Sequence, residues 1–268
     1  MSNLMLGFPN RIDSATLSGG SWSSAFPRTE LQNRALGEPA RTSNDDTAST
    51  IIQIDQGSEK SVRVIALVRH NMSQAATIRI KGDPTDLSTP DYDSTSISVW
   101  PVSYSADVLA LYPWTFVHIL PAAATHRLWK IEITDTSNSD GYVQIARAFI
   151  GPVWQPVVNM IYGASLGWQS RALVNEATQG GEYFHTRAKP RVAAFTLDWM
   201  LQAEALGTAF DLMGAADITE EVFYIEDPAD NTHAIRNNFL ARLERLSPLE
   251  YARVALNSAA FRVKELLP

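Results

Sequence analysis

Residues 128–151, LWKIEITDTSNSDGYVQIARAFIG, decide the fold class of this chain. Two runs of alternating apolar and polar residues, at 129–133 and 142–147, flank a cluster of turn-forming residues at 136–141. Alternation with a period of two is typical of a strand that buries one face. The stretch therefore predicts a β-hairpin with one side in the core.

Earlier runs share this short-strand spacing. They lie at residues 50–55, 62–68 and 76–81. Short strands at such intervals, without helices between them, indicate an antiparallel β-sandwich. Residues 1–44 are rich in Ser, Gly and Pro, and we expect them to wrap the sandwich as irregular chain.

The order of these strands resembles the discoidin-like jelly rolls found in bacteriophage tail proteins. The residues that carry the resemblance are Trp22, the segment 27–31, and the strands STIIQIDQG, VRVIALVRHN and WKIEITDTSNSDGYVQIARAFIGP. They cover about residues 10–152. The resemblance implies a jelly-roll domain at residues 1–152.

After residue 152 the pattern changes, and we expect a second, smaller domain at residues 153–268. An apolar stripe at helical spacing predicts a helix over 197–213, capped by Thr196 and ended by Gly214. The residues of this stripe are Trp199, Ala203, Leu206, Phe210 and Met213. The flanking segments alternate like strands, which gives a β module with one helix. These predicted strands lie at 191–195, 221–225, 238–243, 252–256 and 260–266.

This second half resembles the β-barrel-plus-helix module of phage tail-tip and baseplate ring proteins, such as distal tail proteins. The matching pieces are Arg187, Arg191, Phe195, Glu204 and the segments EVFYIEDP, NNFLARLERLSP and FRVKELL, within about residues 182–268. Such modules assemble side by side into rings at the end of a tail tube. The resemblance therefore implies a homo-oligomer.

Composition excludes several classes of function. The chain has 268 residues, a formal net charge of −7 and no cysteine. Without a cluster of Lys and Arg to neutralise phosphates, we predict no nucleic-acid binding. No apolar run of about 18 residues is present, so we predict no membrane insertion. The absence of cysteine excludes disulfides and thiolate sites.

One motif has a catalytic pattern. Residues 163–167, GASLG, fit the G-x-S-x-G nucleophile elbow, with Ser165 as nucleophile and His233 downstream. An aspartate, at position 198, 211, 217 or 227, would complete the triad. That elbow needs a strand, a sharp turn and a helix, and residues 168–180 lack a helical stripe. We therefore predict a glycine-rich turn, no enzyme activity and no cofactor, and keep the serine hydrolase as an alternative.

Metal ligands are not clustered in the sequence. The five histidines have no pair at helical spacing, so we predict no zinc site. Asp83, Asp86, Asp91 and Asp93 fall in one segment, 82–96, that reads as a long loop. Their spacing matches no defined calcium loop, and a solvated acidic loop is the alternative to a calcium site. We predict no metal.

Aromatic residues in a proline-broken region offer a candidate ligand surface. Planar side chains bury the apolar faces of sugars while polar neighbours bind hydroxyls. The candidate sugar contacts are Trp100, Tyr112 and Trp114. The competing interpretation places these rings in the core.

The main functional hypothesis is a structural component of a phage tail tip or baseplate. It would form or decorate a ring at the distal end of the tail tube, and its partners would be copies of itself, the tube, the hub and the fibres. Its location would be the virion, after synthesis in the bacterial cytoplasm. Phe223 and Tyr224 are the candidate subunit contacts. The first alternative is a module that binds carbohydrate or a host-receptor glycan.

Overall fold

The computed structural model describes residues 2–253 and 255–268 of a mainly β protein. The chain divides into two compact units. The first comprises residues 1–155, 223–239 and 268, and the second comprises residues 156–222 and 240–267. The predicted boundary, after residue 152, lies three residues before the point where the chain first passes from the first unit into the second, after residue 155. The return of residues 223–239 to the first unit had no counterpart in the sequence prediction.

Strands provide most of the regular structure. In chain order they are β1 (Met5–Gly7), β2 (Thr16–Ser18), β3 (Ala40–Arg41), β4 (Ile51–His70), β5 (Thr77–Asp83), β6 (Tyr92–Ser98), β7 (Thr115–Thr134), β8 (Gln144–Gly151), β9 (Val153–Trp154), β10 (Ser165–Trp168), β11 (Leu173–Glu176), β12 (Glu182–His185), β13 (Arg191–Leu201), β14 (Glu221–Ile225), β15 (Asn238–Leu243), β16 (Leu249–Arg253) and β17 (Leu256–Glu265).

Helical segments are short. They are the 3₁₀ helices Ile12–Ser14 and Arg28–Gln32, the α-helices α1 (Ala106–Leu111), α2 (Gln202–Glu204), α3 (Asp211–Ala216) and α4 (Ala234–Asn237), and a π-helical stretch, Ala205–Phe210, between α2 and α3. None of the described helices is long and apolar enough to cross a bilayer.

The first unit is built on an antiparallel sheet in the order β3-β8-β4-β7-β5-β6, with β2 also paired to β4. Both alternating runs within residues 128–151 lie in strands, the first in β7 and the second in β8. They do not form the predicted hairpin, because β4 lies between them and pairs with both. Pairing with β4 depends on side chains far away in sequence, so the local pattern did not contain it.

Strands β4 and β7 run past two irregularities in their pairing, between Asp55 and Lys60 and between Val62 and Val64 of β4. Before them β4 has β2 on its outer edge, and after them it has β8. Bulges of this kind let a strand turn from one layer to the next. Inward side chains from both parts share one core, as expected of a β-sandwich; they include Ile52, Ile54, Ile65, Leu67, Phe116, Trp129 and Ile131.

Strand β14 places both predicted subunit contacts inside the protein. Its pairing with β1 joins Gly7 to Phe223 and Leu6 to Tyr224. Phe223 packs on Phe149 with ring centroids 5.4 Å apart, and the two predicted side chains are 0% and 2% exposed. The prediction of an intersubunit surface here was wrong, because pairing with β1 and ring packing already bury these residues.

The second unit contains an antiparallel sheet in the order β10-β13-β17-β15, with β16 on the other part of β17. Strands β11 and β12 form a separate hairpin, and among the described strands they pair only with each other. The strand predictions for 191–195, 221–225, 238–243 and 260–266 were correct. The predicted strand at 252–256 includes residue 254, which lies outside the described residues.

The predicted helix of residues 197–213 is displaced. Residues up to Leu201 continue strand β13, which carries a bulge between Leu197 and Met200, and the helical segment occupies 202–216. Its buried face is also different from the predicted apolar stripe, since Phe210 is 54% exposed. The buried residues are Ala205, Ala209, Leu212, Met213 and Ala216, which recur at helical spacing.

Candidate functional site

A cavity of about 330 Å³ opens in the first unit and is the candidate site. Three segments of that unit line it. They are the end of β6 with the residues that follow it, the start of β7, and residues 227–238, which come from the returning chain after β14. Because the last segment joins the unit only through the fold, no local sequence pattern predicts the cavity.

One wall of the cavity is aromatic and aliphatic. Trp100 and Phe116 line it, together with Ile97, Val99 and Ile235. The indole N–H of Trp100 points inward and donates to the carbonyl oxygen of Ser73 at 2.8 Å. Trp100 is 6% exposed, so it offers a ligand only a small part of its surface.

The other two predicted sugar contacts have different positions. Tyr112 and Trp114 are half-buried and pack against the core of the sandwich, and neither lines the cavity. Trp114 lies edge-on to Trp100, with ring centroids 5.4 Å apart. The structure thus brings only Trp100 of the three predicted contacts to the cavity.

Acidic and amide side chains also line the cavity. Asp230 accepts the backbone N–H of His233 at 3.0 Å and contacts its ring nitrogen Nδ1 at 2.8 Å. These hydrogen bonds hold the pKa of Asp230 below its usual range, so the carboxylate is ionised. Among the described residues, Asp227 accepts the backbone N–H groups of Ser2 and Ala229 through Oδ1 only. Its Oδ2 is left to accept a bond from a ligand.

Uncharged polar groups complete the lining. Ring nitrogen Nε2 of His118 lies 2.6 Å from the hydroxyl of Tyr92, and burial lowers the pKa of His118, which keeps the ring neutral. Thr115 and Asn231 also line the cavity. Asn238 is 6% exposed, and its Oδ1 has no hydrogen-bond partner in the described structure. Buried polar atoms normally have a partner, so this amide marks a place for a donor.

The arrangement suits a small ligand rich in hydroxyl groups. Its volume is at the lower end of the range for small-molecule pockets. Carboxylates and amide oxygens accept hydroxyl hydrogens, and the aliphatic and aromatic wall contacts C–H groups. No Lys or Arg lines this cavity in the described part of the chain, so anionic ligands lack a counter-charge.

Hydrogen bonds already occupy three of the four carboxylates in the acidic segment 82–96, those of Asp83, Asp86 and Asp93. Asp83 accepts from the backbone N–H groups of Thr85, Asp86 and Asp91, and Asp93 pairs with Arg79. The segment is also shorter as a loop than predicted, since β6 begins at Tyr92. No group of three or more His, Asp or Glu side chains arranged to hold a metal ion occurs among residues 2–253 and 255–268.

Ser165 does not have the geometry of a nucleophile elbow. It is the first residue of strand β10, where it pairs with Ala194 of β13, and no strand-to-helix turn holds it. His233 contacts Asp230, which is none of the four aspartates considered for a triad. The G-x-S-x-G match therefore lies on an exposed edge strand.

The site residues that sequence analysis missed lie mainly in one turn cluster. Residues 226–231 read EDPADN and separate two apolar strands. Such a cluster of Asp, Asn and Pro is a turn signal, and it was assigned to the second domain. Functional side chains often occupy such turns, so the cluster was the available signal.

Comparisons with known proteins gave structural matches only. No family model and no curated protein matches this chain. A Ruminococcus gnavus GH29 fucosidase in complex with fucose matches 54% of this chain with 12% identity and a TM-score of 0.40, and this chain covers 27% of that one. The lectin-binding domain of lectinolysin, complexed with Lewis b, matches 55% with 12% identity and a TM-score of 0.41, and 97% of it is covered.

A family 32 carbohydrate-binding module of NanJ from C. perfringens, in complex with galactose, matches 56% of this chain. The identity is 10%, the TM-score is 0.40, and 99% of the module is covered. The matches thus extend over about half of this chain. At these TM-scores the similarities carry no functional argument.

Proposed function

We propose that this protein binds a neutral carbohydrate in the cavity of its first unit. The observation that carries the proposal is the cavity's composition. Apolar side chains, among them Trp100, line it together with Asp227, Asp230 and the unpartnered amide oxygen of Asn238. A hexose presents the matching groups, since its hydroxyls donate to carboxylates and its C–H faces contact apolar side chains.

Charge restricts the class of sugar. The two aspartates give the cavity a negative potential, and no cation lines it among the residues described. Neutral sugars and amino sugars fit this potential, whereas sialylated or sulfated glycans would meet like charge. Trp100 and Phe116 are both buried, so the ring area available for stacking on a sugar is small. We therefore expect a dissociation constant near the millimolar range, which corresponds to a binding free energy of about −4 kcal/mol.

A glycan array followed by calorimetric titration tests the proposal. For the best neutral glycan, we expect Asp230→Asn to weaken binding by about tenfold or more, since a hydrogen bond to a charged group contributes roughly 1.5–3 kcal/mol. Asp107→Asn is the matched control, because Asp107 is exposed on α1 and lies outside the cavity. Absence of any neutral glycan among the binders would refute the proposal, as would equal affinities for the two variants.

A second candidate is a structural role in an assembly, in its specific form the ring at the distal end of a phage tail. The observation in its favour is the distribution of exposed apolar side chains. Among residues 2–253 and 255–268, 17 large hydrophobic residues are exposed, and of these only Leu111 lies outside the second unit. Concentrated exposed apolar residues usually mark protein interaction sites.

The tail placement itself rests on the sequence resemblance, and with it the tube, hub and fibres as partners and the virion as location. Negative-stain images of the purified protein test this candidate. Rings with a central hole are the expected particles, and isolated single copies at all concentrations would oppose it.

A further inference from the structure

We propose that the β11–β12 hairpin of one copy docks into a basic groove on the second unit of another copy. The inference develops the assembly role given above as the second candidate and does not depend on glycan binding. Both surfaces belong to the second unit, and neither is used by the cavity of the first unit.

The hairpin is an unsupported element. All residues of both strands are exposed, and each strand pairs only with the other. An isolated two-stranded hairpin is at best marginally stable in water. Its apolar side chains are also uncovered, since Val174 is 55% and Phe184 is 62% exposed. A partner surface that covers these side chains would therefore stabilise the element.

One face of the hairpin combines apolar and acidic side chains. The register places Val174 opposite Phe184 and Glu176 opposite Glu182. Residues two apart on a strand share a face, so all four side chains lie on the same side. Two glutamates directly opposite each other repel, and residues 172–186 contain no Lys or Arg to offset them. This acidic face therefore favours a cationic and apolar partner.

The basic groove offers that chemistry. It consists of two adjoining cavities of about 250 and 210 Å³ that share Ala194 and Arg262. Trp168 lines the first cavity, and Tyr162 and Arg245 line the second. The groove is open, with Trp168 38% exposed and Tyr162 fully exposed. No hairpin residue lines either cavity of the same chain.

Arg245 supplies a free positive charge. It is exposed, and within the described chain no carboxylate lies at ion-pair distance from it. Arg262 already pairs with Glu244. An acidic hairpin face that approaches the groove would thus meet at least one uncompensated cation. This charge complementarity selects a second copy of the chain as the occupant, because each copy carries both complementary surfaces.

The resulting contact is heterologous, since different surfaces of the two copies meet. When such a contact is repeated, the copies form a closed ring if the rotation that relates neighbouring copies adds up to a full turn, and a filament if it does not. In a closed ring every copy would donate one hairpin and have its groove filled, and in a filament every copy except the two at the ends would do so.

Reversal of single charges tests the docking, with mass measured by light scattering over a range of concentrations. We expect the wild-type mass to rise above 29.6 kDa with concentration. Glu182→Lys and Arg245→Glu should each raise the dissociation constant by about tenfold or more, because each places like charges together. The combination Glu182→Lys/Arg245→Glu should restore part of the association lost in the single variants, because an opposite-charge pair is re-formed in reversed sense while Glu176 keeps its charge.

Glu59→Lys is the matched control, since Glu59 is an exposed strand glutamate of the first unit. It should leave the mass distribution unchanged. A wild-type protein that stays monomeric at all concentrations would overturn both the docking and the assembly role. An oligomer that survives Glu182→Lys, or one that the double reversal does not restore, would overturn the docking alone. Thermal unfolding of each variant confirms that its fold is intact.

Discussion

His70 lies between two tryptophans in the core of the sandwich and has almost no contact with solvent. Its ring is 5.3 Å from Trp100 and 6.2 Å from Trp114, centroid to centroid. Nδ1 accepts the backbone N–H of Met72 at 3.1 Å, while Nε2 has no partner among the described residues. Burial lowers the pKa of His70 to about 3, so the folded protein keeps this ring neutral.

This burial makes stability depend on pH. The unfolded chain binds a proton at His70 below about pH 6.5, whereas the folded chain does so only near pH 3, so stability is lost as pH falls through that window. We expect a loss of about 2 kcal/mol in the free energy of unfolding between pH 6.5 and 5, at roughly 1.4 kcal/mol per pH unit. Urea denaturation at several pH values measures it.

His70→Phe should remove most of that slope, and the smaller slope that remains would come from His118, whose pKa is also lowered by burial. Burial raises the pKa of Glu226, so this carboxyl group contributes a slope of opposite sign, but it does so equally in wild type and variant and cancels in their comparison. Equal slopes for wild type and variant between pH 6.5 and 5 would contradict the assignment to His70.

The buried ion pair of Arg191 and Glu265 fixes the end of strand β17 to the start of β13. The two side chains are 3% and 4% exposed. Glu265 accepts the backbone N–H of Arg191 at 2.9 Å and two guanidinium N–H groups at 3.0 and 2.6 Å. Because the guanidinium cannot lose its charge, removal of the carboxylate leaves a buried cation.

Glu265→Gln should therefore reduce the free energy of unfolding by about 3 kcal/mol or more, measured by urea denaturation. The double variant Arg191→Met/Glu265→Leu removes both charges and should lose clearly less than the single variant. A single variant that is as stable as the double variant would show that the charge is compensated by other groups.

At the residue level, the sequence indicated which types of side chain could contact a ligand, but it did not indicate where in the fold each of them lies. Trp100 was identified as an aromatic contact and does line the cavity, but Tyr112 and Trp114 pack on the core. The sequence does not say which of several nearby rings is covered, because tertiary contacts decide their burial. The acidic partners Asp227 and Asp230 reach the cavity only because residues 223–239 return to the first unit.

At the level of an element, the position of the helical segment 202–216 could not be predicted from the local sequence pattern. Residues 197–201 satisfy both strand alternation and helical spacing, so periodicity alone did not fix where the strand ends. The bulge between Leu197 and Met200, with Trp199 at φ +63°, shifts the register at this point. The predicted apolar stripe then lies mostly toward solvent, and alanines provide much of the buried face.

Matched substitutions distinguish the two helix faces. Ala209→Asp places a charge at a position with 0% exposure, and we expect a loss of about 3 kcal/mol or more in the free energy of unfolding. Ala203→Asp introduces the same side chain at an exposed position, so its effect should stay within about 0.5 kcal/mol. The sequence prediction requires the opposite order, because it places Ala203 on the apolar stripe. Chemical denaturation of both variants decides between them.

Strand pairing over long distances also escaped local prediction. The runs at 50–55 and 62–68 proved to be parts of the single strand β4, and β4 separates β7 from β8. Antiparallel order in such a sheet depends on contacts between residues about 80 positions apart, as in the pair Ile52 and Ile131. Alternation identifies the buried face of a strand but not its neighbours.

For the molecule as a whole, the two proposals assign separate tasks to separate units. The glycan cavity is lined entirely by the first unit, and the hairpin and basic groove lie entirely in the second. A weak site becomes effective when many copies are held together, because later binding events occur at a raised effective concentration. Self-association would thus convert near-millimolar affinity for one sugar into firm attachment to a surface that displays many.

Because the two proposed functions lie in separate units, we expect Glu182→Lys to change binding to a glycan-coated surface but not the affinity for a free glycan. Glu182→Lys should leave the calorimetric affinity for a free glycan unchanged, because Glu182 is not part of the cavity. On a surface densely coated with the same glycan, its apparent affinity should fall by about a hundredfold relative to wild type, as multivalent binding is lost. Asp230→Asn should weaken both measurements, and Glu59→Lys should alter neither. If wild type and Glu182→Lys bind the coated surface equally, self-association does not contribute to attachment, and the second unit must serve a different partner.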